Sequence, residues 1–154
     1  MRIAVGSDHA GFDMKVQLAG FLRAAGHDVT DVGTQSGDVT VDYPEFGVAV
    51  GRRVAAGLDD LGVCACGSGI GISIAANKVP GVRAAAVHDV TTAALARRHN
   101  HANVICFGGR TTGTTTALDA LTAFLAAEPE HGRHDRRVAM LDHLGTLATS
   151  GEGG

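Results

Sequence analysis

The chain of 154 residues contains no tryptophan, one tyrosine and only three prolines, and charged side chains make up 19% of it. Typical soluble domains carry about 25% charged residues. Hydrophobic residues make up 45%, which excludes a chain that is disordered throughout. The net charge of −3 argues against a broad nucleic-acid surface, so we expect no nucleic-acid partner.

Cysteine is also scarce, and the three residues Cys64, Cys66 and Cys106 are an odd number that is atypical of a disulfide scaffold. The apolar stretch after Met1 is far too short for a secretory signal, so we expect a cytoplasmic protein. No apolar run approaches the length of about 18 residues that a membrane helix needs. We therefore expect no membrane partner.

Glycine is abundant, with 22 residues, and short apolar segments alternate with stretches of helical periodicity. The predicted strands lie at residues 3–5, 29–32, 61–66, 82–87 and 104–107. Such an alternation predicts an α/β fold: a three-layer αβα sandwich with a five-stranded, mostly parallel, Rossmann-like sheet. We expect one domain over residues 1–148, with a last helix over about 135–148 and a flexible tail at 149–154.

Polar and glycine residues follow the predicted strands, where ligands bind in folds of this class. The segment 66–73 reads CGSGIGIS, and its glycines let backbone N–H groups turn towards an anion. Cys66 precedes these donors, a setting that favours a reactive thiolate. The G-x-G-x-G spacing, with no acidic residue about 20 positions further on, fits a dinucleotide site poorly.

Histidine and arginine residues form a second group of candidates. His99, at the end of the fourth predicted helix, is either a helix cap or a general acid–base. His99 and His101 lack further ligands at standard spacing, so we expect no metal. Arg133 and Arg137 lie four apart on one helix face, which suits either a phosphate or solvent.

Together these segments resemble the type B ribose-5-phosphate isomerases of the ribose/galactose phosphate isomerase family. The similarity runs from Arg2 to about Ala148. Its markers are residues 6–12, 42–44, 66–78, 98–100, 108–110 and 132–134. The resemblance implies a homodimer, sometimes paired into a tetramer, with sites at the dimer interface and no cofactor. The partner subunit would supply His99, Asn100 and the last helix, which would pack on it.

The implied reaction interconverts ribose 5-phosphate and ribulose 5-phosphate through an enediolate. By the resemblance Cys66 is the base and His99 opens the sugar ring, with Asp8 and the Ser68 hydroxyl assisting. One branch of the family uses a glutamate where this chain has Ile72, which cannot accept a proton. The implied substrate-binding residues are Asp8, His9, Tyr43, Gly67, Ser68, Gly69, Ile70, Gly71, Asn100, Arg110, Arg133 and Arg137.

Other functions are compatible with parts of the sequence. An isomerase of the same type could act on a four- or six-carbon sugar phosphate, such as allose or galactose 6-phosphate. The glycine segment could instead serve a non-catalytic nucleotide-binding module. A thiol redox or metal-binding protein using Cys64 and Cys66 is a third hypothesis.

Overall fold

The computed structural model of the protein describes residues 1–147. Its strands are β1 (Arg2–Ser7), β2 (Asp28–Asp31), β3 (Leu61–Cys66), β4 (Ala84–Ala86) and β5 (Val104–Gly108). Its α-helices are α1 (Phe12–Ala24), α2 (Tyr43–Ala55), α3 (Ile70–Ala76), α4 (Val90–Asn100), α5 (Thr114–Ala126) and α6 (Arg133–Leu147). A short 3-10 helix, His9–Gly11, leads into α1.

The five strands form one sheet in the order β2-β1-β3-β5-β4, and all four pairings are parallel. The α/β prediction is confirmed, with a sheet that is wholly rather than mostly parallel over residues 1–147. Because β2 and β3 lie on opposite sides of β1, the chain changes direction across the sheet between β1 and β3. Ligands of such sheets bind at this switch point, beyond the carboxyl ends of the strands.

Two apolar clusters cover the two faces of the sheet. Helices α1, α4 and α5 pack on one face through residues such as Leu18, Ala93 and Phe124. On the other face α2 and α3 enclose a cluster that includes Cys66 and Ile72. The predicted three layers are therefore present.

Capping residues that the sequence predicts mark the ends of two helices. Asp89 caps α4 by accepting a hydrogen bond from the Thr92 N–H at 2.8 Å. Gly26 follows α1 with a φ of +83°, which a glycine adopts without strain. The predicted fourth strand is too long, because turn hydrogen bonds hold Val82 before β4 begins. Helix α6 starts at Arg133, before the predicted residue 135, and the predicted tail 149–154 lies outside the described residues.

Helix α6 lies outside the sandwich and packs on α4. Its buried residues in the described part are His134 and Val138, while Met140, Leu141 and Leu144 are exposed. Among the helices described here, none has the length and hydropathy needed to cross a membrane.

Substitutions of two glycines, one before α1 and one within it, test the packing of this part of the fold. A Cβ on buried Gly11 would lie 2.6 Å from the Cys66 backbone nitrogen, whereas one on exposed Gly20 in α1 would meet nothing within 4 Å. Gly11→Ala is expected to lower the free energy of unfolding by about 1–3 kcal/mol. The control Gly20→Ala is expected to raise it by about 0.5–1 kcal/mol, because alanine is the better helix former. Urea unfolding measures both, and equal stability of the two variants would contradict the close approach of Gly11 to β3.

Candidate active site

A glycine turn joins β3 to α3 and places Cys66 at the switch-point end of the sheet. The Cys66 side chain is buried, and its Sγ accepts a hydrogen bond from the Gly69 N–H at 3.1 Å. Gly69 has a φ of +78°, and a Cβ there would lie 2.9 Å from the Phe107 carbonyl carbon. The turn therefore requires glycine, and it directs a backbone donor at the sulfur.

The loop after β5 closes over this turn. The Gly109 N–H donates to the Cys66 carbonyl oxygen at 2.8 Å, and the Arg110 N–H donates to the Gly67 carbonyl oxygen at 3.0 Å. A Cβ built on Gly67 would lie 3.7 Å from the Arg110 Nη1. A positive guanidinium thus lies beside the residue that follows Cys66.

The loop after β1 forms another wall. Asp8 is buried and its carboxylate accepts a hydrogen bond from the Gly11 N–H at 2.9 Å. The next residue, His9, has its Nδ1 within 3.3 Å of both the N–H and the carbonyl oxygen of Val41. The connection between β2 and α2 therefore holds the His9 imidazole.

Tyr43 and Ser68 complete this side of the site. The Tyr43 ring lies so close to Gly71 that a Cβ there would be 2.6 Å from the ring, so glycine leaves room for the phenol. The Ser68 hydroxyl accepts a hydrogen bond from the Ile70 N–H at 3.3 Å. We name the residues gathered at this edge the thiol cluster: Asp8, His9, Tyr43, Arg110 and residues 66–71.

The remaining predicted residues lie at the opposite edge of the sheet. Helix α4 runs antiparallel to the strands, so His99 and Asn100 come at the edge where β5 begins. The Asn103 carbonyl oxygen there accepts a hydrogen bond from the Gly62 N–H, at the start of β3. The four residues from Gly62 to Cys66 span about 13 Å of extended strand. Within one chain His99 and Cys66 therefore do not share a site.

At that edge His99 joins residues that begin α6. The His99 and His134 rings stack with centroids 4.4 Å apart. The Glu130 Oε2 lies 3.5 Å from the His99 Nε2 and 3.6 Å from the His134 Nε2. Arg133 donates from its Nε to the His134 Nε2 at 3.3 Å. We name His99, Glu130, Arg133 and His134 the histidine cluster.

Sequence reasoning missed Glu130 and the role of His134. A single glutamate after Pro129 carries no local signal, because its partners come from α4 and α6. Arg133 and Arg137 are both exposed, which leaves the choice between a phosphate and solvent open, while His134 is buried. His134 is the side chain that α6 buries against this end of α4.

Neighbouring charges and burial shift the pKa values of two groups in the histidine cluster. The Arg98 guanidinium hydrogen bond, aided by the charges of His99 and His134, holds the pKa of Glu130 below its usual value. Burial first, and then the charges of His99 and Arg133, lowers the pKa of His134. Ligand atoms of His99, Glu130 and His134 lie within 4.8 Å of one another, close enough to share an ion. Arg98 already pairs with the Glu130 carboxylate, and the adjacent guanidiniums of Arg98 and Arg133 oppose a cation at that point.

The other two thiols are placed for packing. Cys64 and Cys106 are fully buried neighbours on β3 and β5. A hydrogen bond with Cys64, together with burial, raises the pKa of the Cys106 thiol, so it stays protonated. All three cysteines are free and buried. The redox hypothesis needs Cys64 together with Cys66, and the full burial of Cys64 argues against it, since redox-active thiols are typically accessible.

Comparison with known proteins gives consistent matches. The family model described as Ribose/Galactose Isomerase matches residues 3–141. Ribose-5-phosphate isomerase B of Mycolicibacterium paratuberculosis is 45% identical over 142 residues, which cover 92% of this chain and 89% of that one. Galactose-6-phosphate isomerase subunit LacB of Clostridium acetobutylicum is 43% identical, over 90% of this chain and 79% of that one. The solved structure of Clostridium thermocellum ribose-5-phosphate isomerase B is 43% identical, with a TM-score of 0.94 over 96% of this chain and 99% of that one.

Proposed function

The chain belongs to the ribose/galactose isomerase family, and on that premise we propose that it interconverts ribose 5-phosphate and ribulose 5-phosphate, with Cys66 as the base. It is thus an aldose–ketose isomerase. The observation that supports this chemistry most directly is the hydrogen bond from the Gly69 N–H to the Cys66 sulfur, beside Arg110.

The reaction moves one proton between neighbouring carbons. The Cys66 thiolate takes the proton from C2 of the open-chain aldose, and the electron pair moves into the C1 carbonyl to give an enediolate. A proton passes from the C2 hydroxyl to the C1 oxygen, and the thiol then returns its proton to C1. Backbone N–H groups of residues 67–71 stabilise the developing negative charge, as fixed donors do at other oxyanions.

Ring opening precedes this step for a cyclic aldose. The imidazolium of His99 gives its proton to the ring oxygen as the bond from that oxygen to C1 breaks. Asp8 takes the proton of the C1 hydroxyl, which becomes the carbonyl. General acid–base catalysis of this kind contributes about 10²- to 10⁴-fold.

Phosphate binding draws on both clusters. Arg110 and His9 belong to the thiol cluster, whereas Arg133 and Arg137 extend from α6. Forked guanidiniums bind phosphate oxygens in pairs, so they fix the substrate end that does not react. Asn100 binds a sugar oxygen and Tyr43 lines the pocket.

We infer that each complete site combines the thiol cluster of one subunit with the histidine cluster of its partner. The two clusters lie at opposite edges of the sheet, so a single chain does not unite them. Apolar side chains on α3 and α6 are exposed in the isolated chain, which is typical of a surface that another subunit covers: Ile70, Ile74, Met140, Leu141 and Leu144. The occupant we propose is a second copy of this chain.

A phosphorylated substrate and three free thiols fit the cytoplasm. We therefore retain a cytoplasmic location as part of the proposal.

A panel of sugar phosphates tests the substrate. We expect kcat/KM for ribose 5-phosphate to exceed that for four- and six-carbon aldose phosphates by at least about tenfold, since one extra or missing carbon is worth about 10- to 200-fold. Initial rates with erythrose 4-phosphate, ribose 5-phosphate, allose 6-phosphate and galactose 6-phosphate measure this. Faster turnover of galactose 6-phosphate than of ribose 5-phosphate would indicate that the chain is a galactose-6-phosphate isomerase, like its LacB relative. NAD or ATP binding without any isomerisation would favour the nucleotide-binding module.

A further inference from the structure

We propose that Glu130 is a positioning residue for His99, holding the imidazole in the orientation and tautomer that ring opening requires. The proposal rests on the proposed function, because it concerns the ring-opening half of that reaction. Its geometric basis is the single carboxylate that faces both stacked imidazoles from the connection between α5 and α6.

Glu130 is fixed to the end of α4 by its backbone as well as its side chain. Its N–H donates to the Arg98 carbonyl oxygen at 2.7 Å, and its own carbonyl oxygen lies 2.7 Å from the His101 Nε2. These contacts do not depend on the carboxylate. A substitution of the side chain therefore removes the charge and leaves the connection in place.

The two carboxylate oxygens have different partners. Arg98 donates from its Nε to Oε1 at 2.8 Å, which leaves Oε2 directed at the imidazoles. A carboxylate beside one ring nitrogen of a histidine fixes the tautomer and makes the other nitrogen more basic. With Nε2 of His99 facing Glu130, its Nδ1 is the nitrogen presented to the sugar.

The His134 ring stacks against one face of the His99 ring. The His134 side chain is 7% exposed and the His99 side chain is 35% exposed, so the buried ring supports the accessible one. Burial and the neighbouring positive charges lower the pKa of His134. The accessible ring of the stack is that of His99, and Glu130 lies beside its Nε2.

Ribulose 5-phosphate separates ring opening from proton transfer at carbon. With its carbonyl at C2 and its O5 phosphorylated, this ketose has no hydroxyl placed to close a five-membered ring. Exchange of its C1 proton with deuterated water therefore needs Cys66 but no ring opening. Turnover of cyclic ribose 5-phosphate needs both.

The test compares Glu130→Gln with the unmodified protein in both assays. We expect kcat for ribose 5-phosphate to fall about tenfold. That is less than the loss of about 10⁴ in serine-protease triads, because this contact is longer and partly exposed. Deuterium exchange into ribulose 5-phosphate is expected to stay within about twofold of the unmodified protein.

Glu128→Gln is the matched control, because it removes an exposed carboxylate from the same connection between α5 and α6 that does not belong to the group of His99, Glu130 and His134. Its turnover is expected to stay within about twofold, since exposed charges contribute little. A parallel fall of both assays in Glu130→Gln, no fall in either, or an equal loss in Glu128→Gln would overturn the positioning role. If the unmodified protein neither turns over ribose 5-phosphate nor exchanges ribulose 5-phosphate, the proposed function itself fails, and the role of Glu130 with it.

Discussion

Cys66→Ala is expected to lower kcat for ribose 5-phosphate by about 10³-fold or more. The substitution removes the group that we propose as the base for the C2 proton, and a positioned base is worth about 10²- to 10⁴-fold. Residues 67–71 contain no carboxylate, imidazole or second thiol to replace it, and the nearby Ile72 is apolar and fully buried. In the proposed site arginines rather than the thiol bind the phosphate, so KM and calorimetric binding of a sugar phosphate are expected to change little.

Cys106→Ala provides the matched control for this prediction. Cys106 lies on the neighbouring strand, is equally buried, and packs in the same apolar cluster as Cys66. Each variant loses one buried sulfur, so thermal unfolding measures any packing cost that they share. Full activity in Cys66→Ala, or an equal loss in Cys106→Ala, would remove Cys66 from the base position.

His99→Ala is expected to lower turnover of ribose 5-phosphate by about 10²-fold, the usual effect of losing a general acid. Deuterium exchange into ribulose 5-phosphate is expected to survive in this variant, because that substrate is already open. The two assays are followed by absorbance and by NMR. An equal loss in both would argue against a ring-opening role for His99.

The sheet and the glycine turn could be predicted because their signals are local. The apolar segment before Cys66 and the glycines after it identify a buried strand and its turn, and the structure has both. Edge strands are less well determined by sequence. The polar residues Asp28 and Thr30 within β2, and the short β4, depend on pairing with β1 and β5 for their extents.

The division of the candidate residues between two edges of the sheet could not be predicted from local patterns. Helix α4 runs antiparallel to the strands, so His99 at its end lies where β5 begins. Cys66 lies at the opposite end of the neighbouring strand β3. The role proposed for Glu130 depends on packing between the α5–α6 connection and α4, which brings Arg98 and Glu130, 32 positions apart, into contact. Whether α6 packs on a partner subunit stays a prediction.

Mixing two inactive variants tests the composite site most directly. Subunits of Cys66→Ala and His99→Ala are unfolded together and refolded, which gives one heterodimer for every homodimer if they assort at random. Each heterodimer has one site with the intact thiol cluster of one chain and the intact histidine cluster of the other. Activity is expected to return to about a quarter of that of the unmodified protein.

Mixing Cys66→Ala with Arg110→Ala is the control, because both substitutions lie in the thiol cluster. Each of the two sites in a heterodimer then contains one of the two substitutions. No recovery is expected in that mixture. If the first mixture also stays at the activity of its parents while heterodimers are present, Cys66 and His99 act within one chain, and the shared site is contradicted.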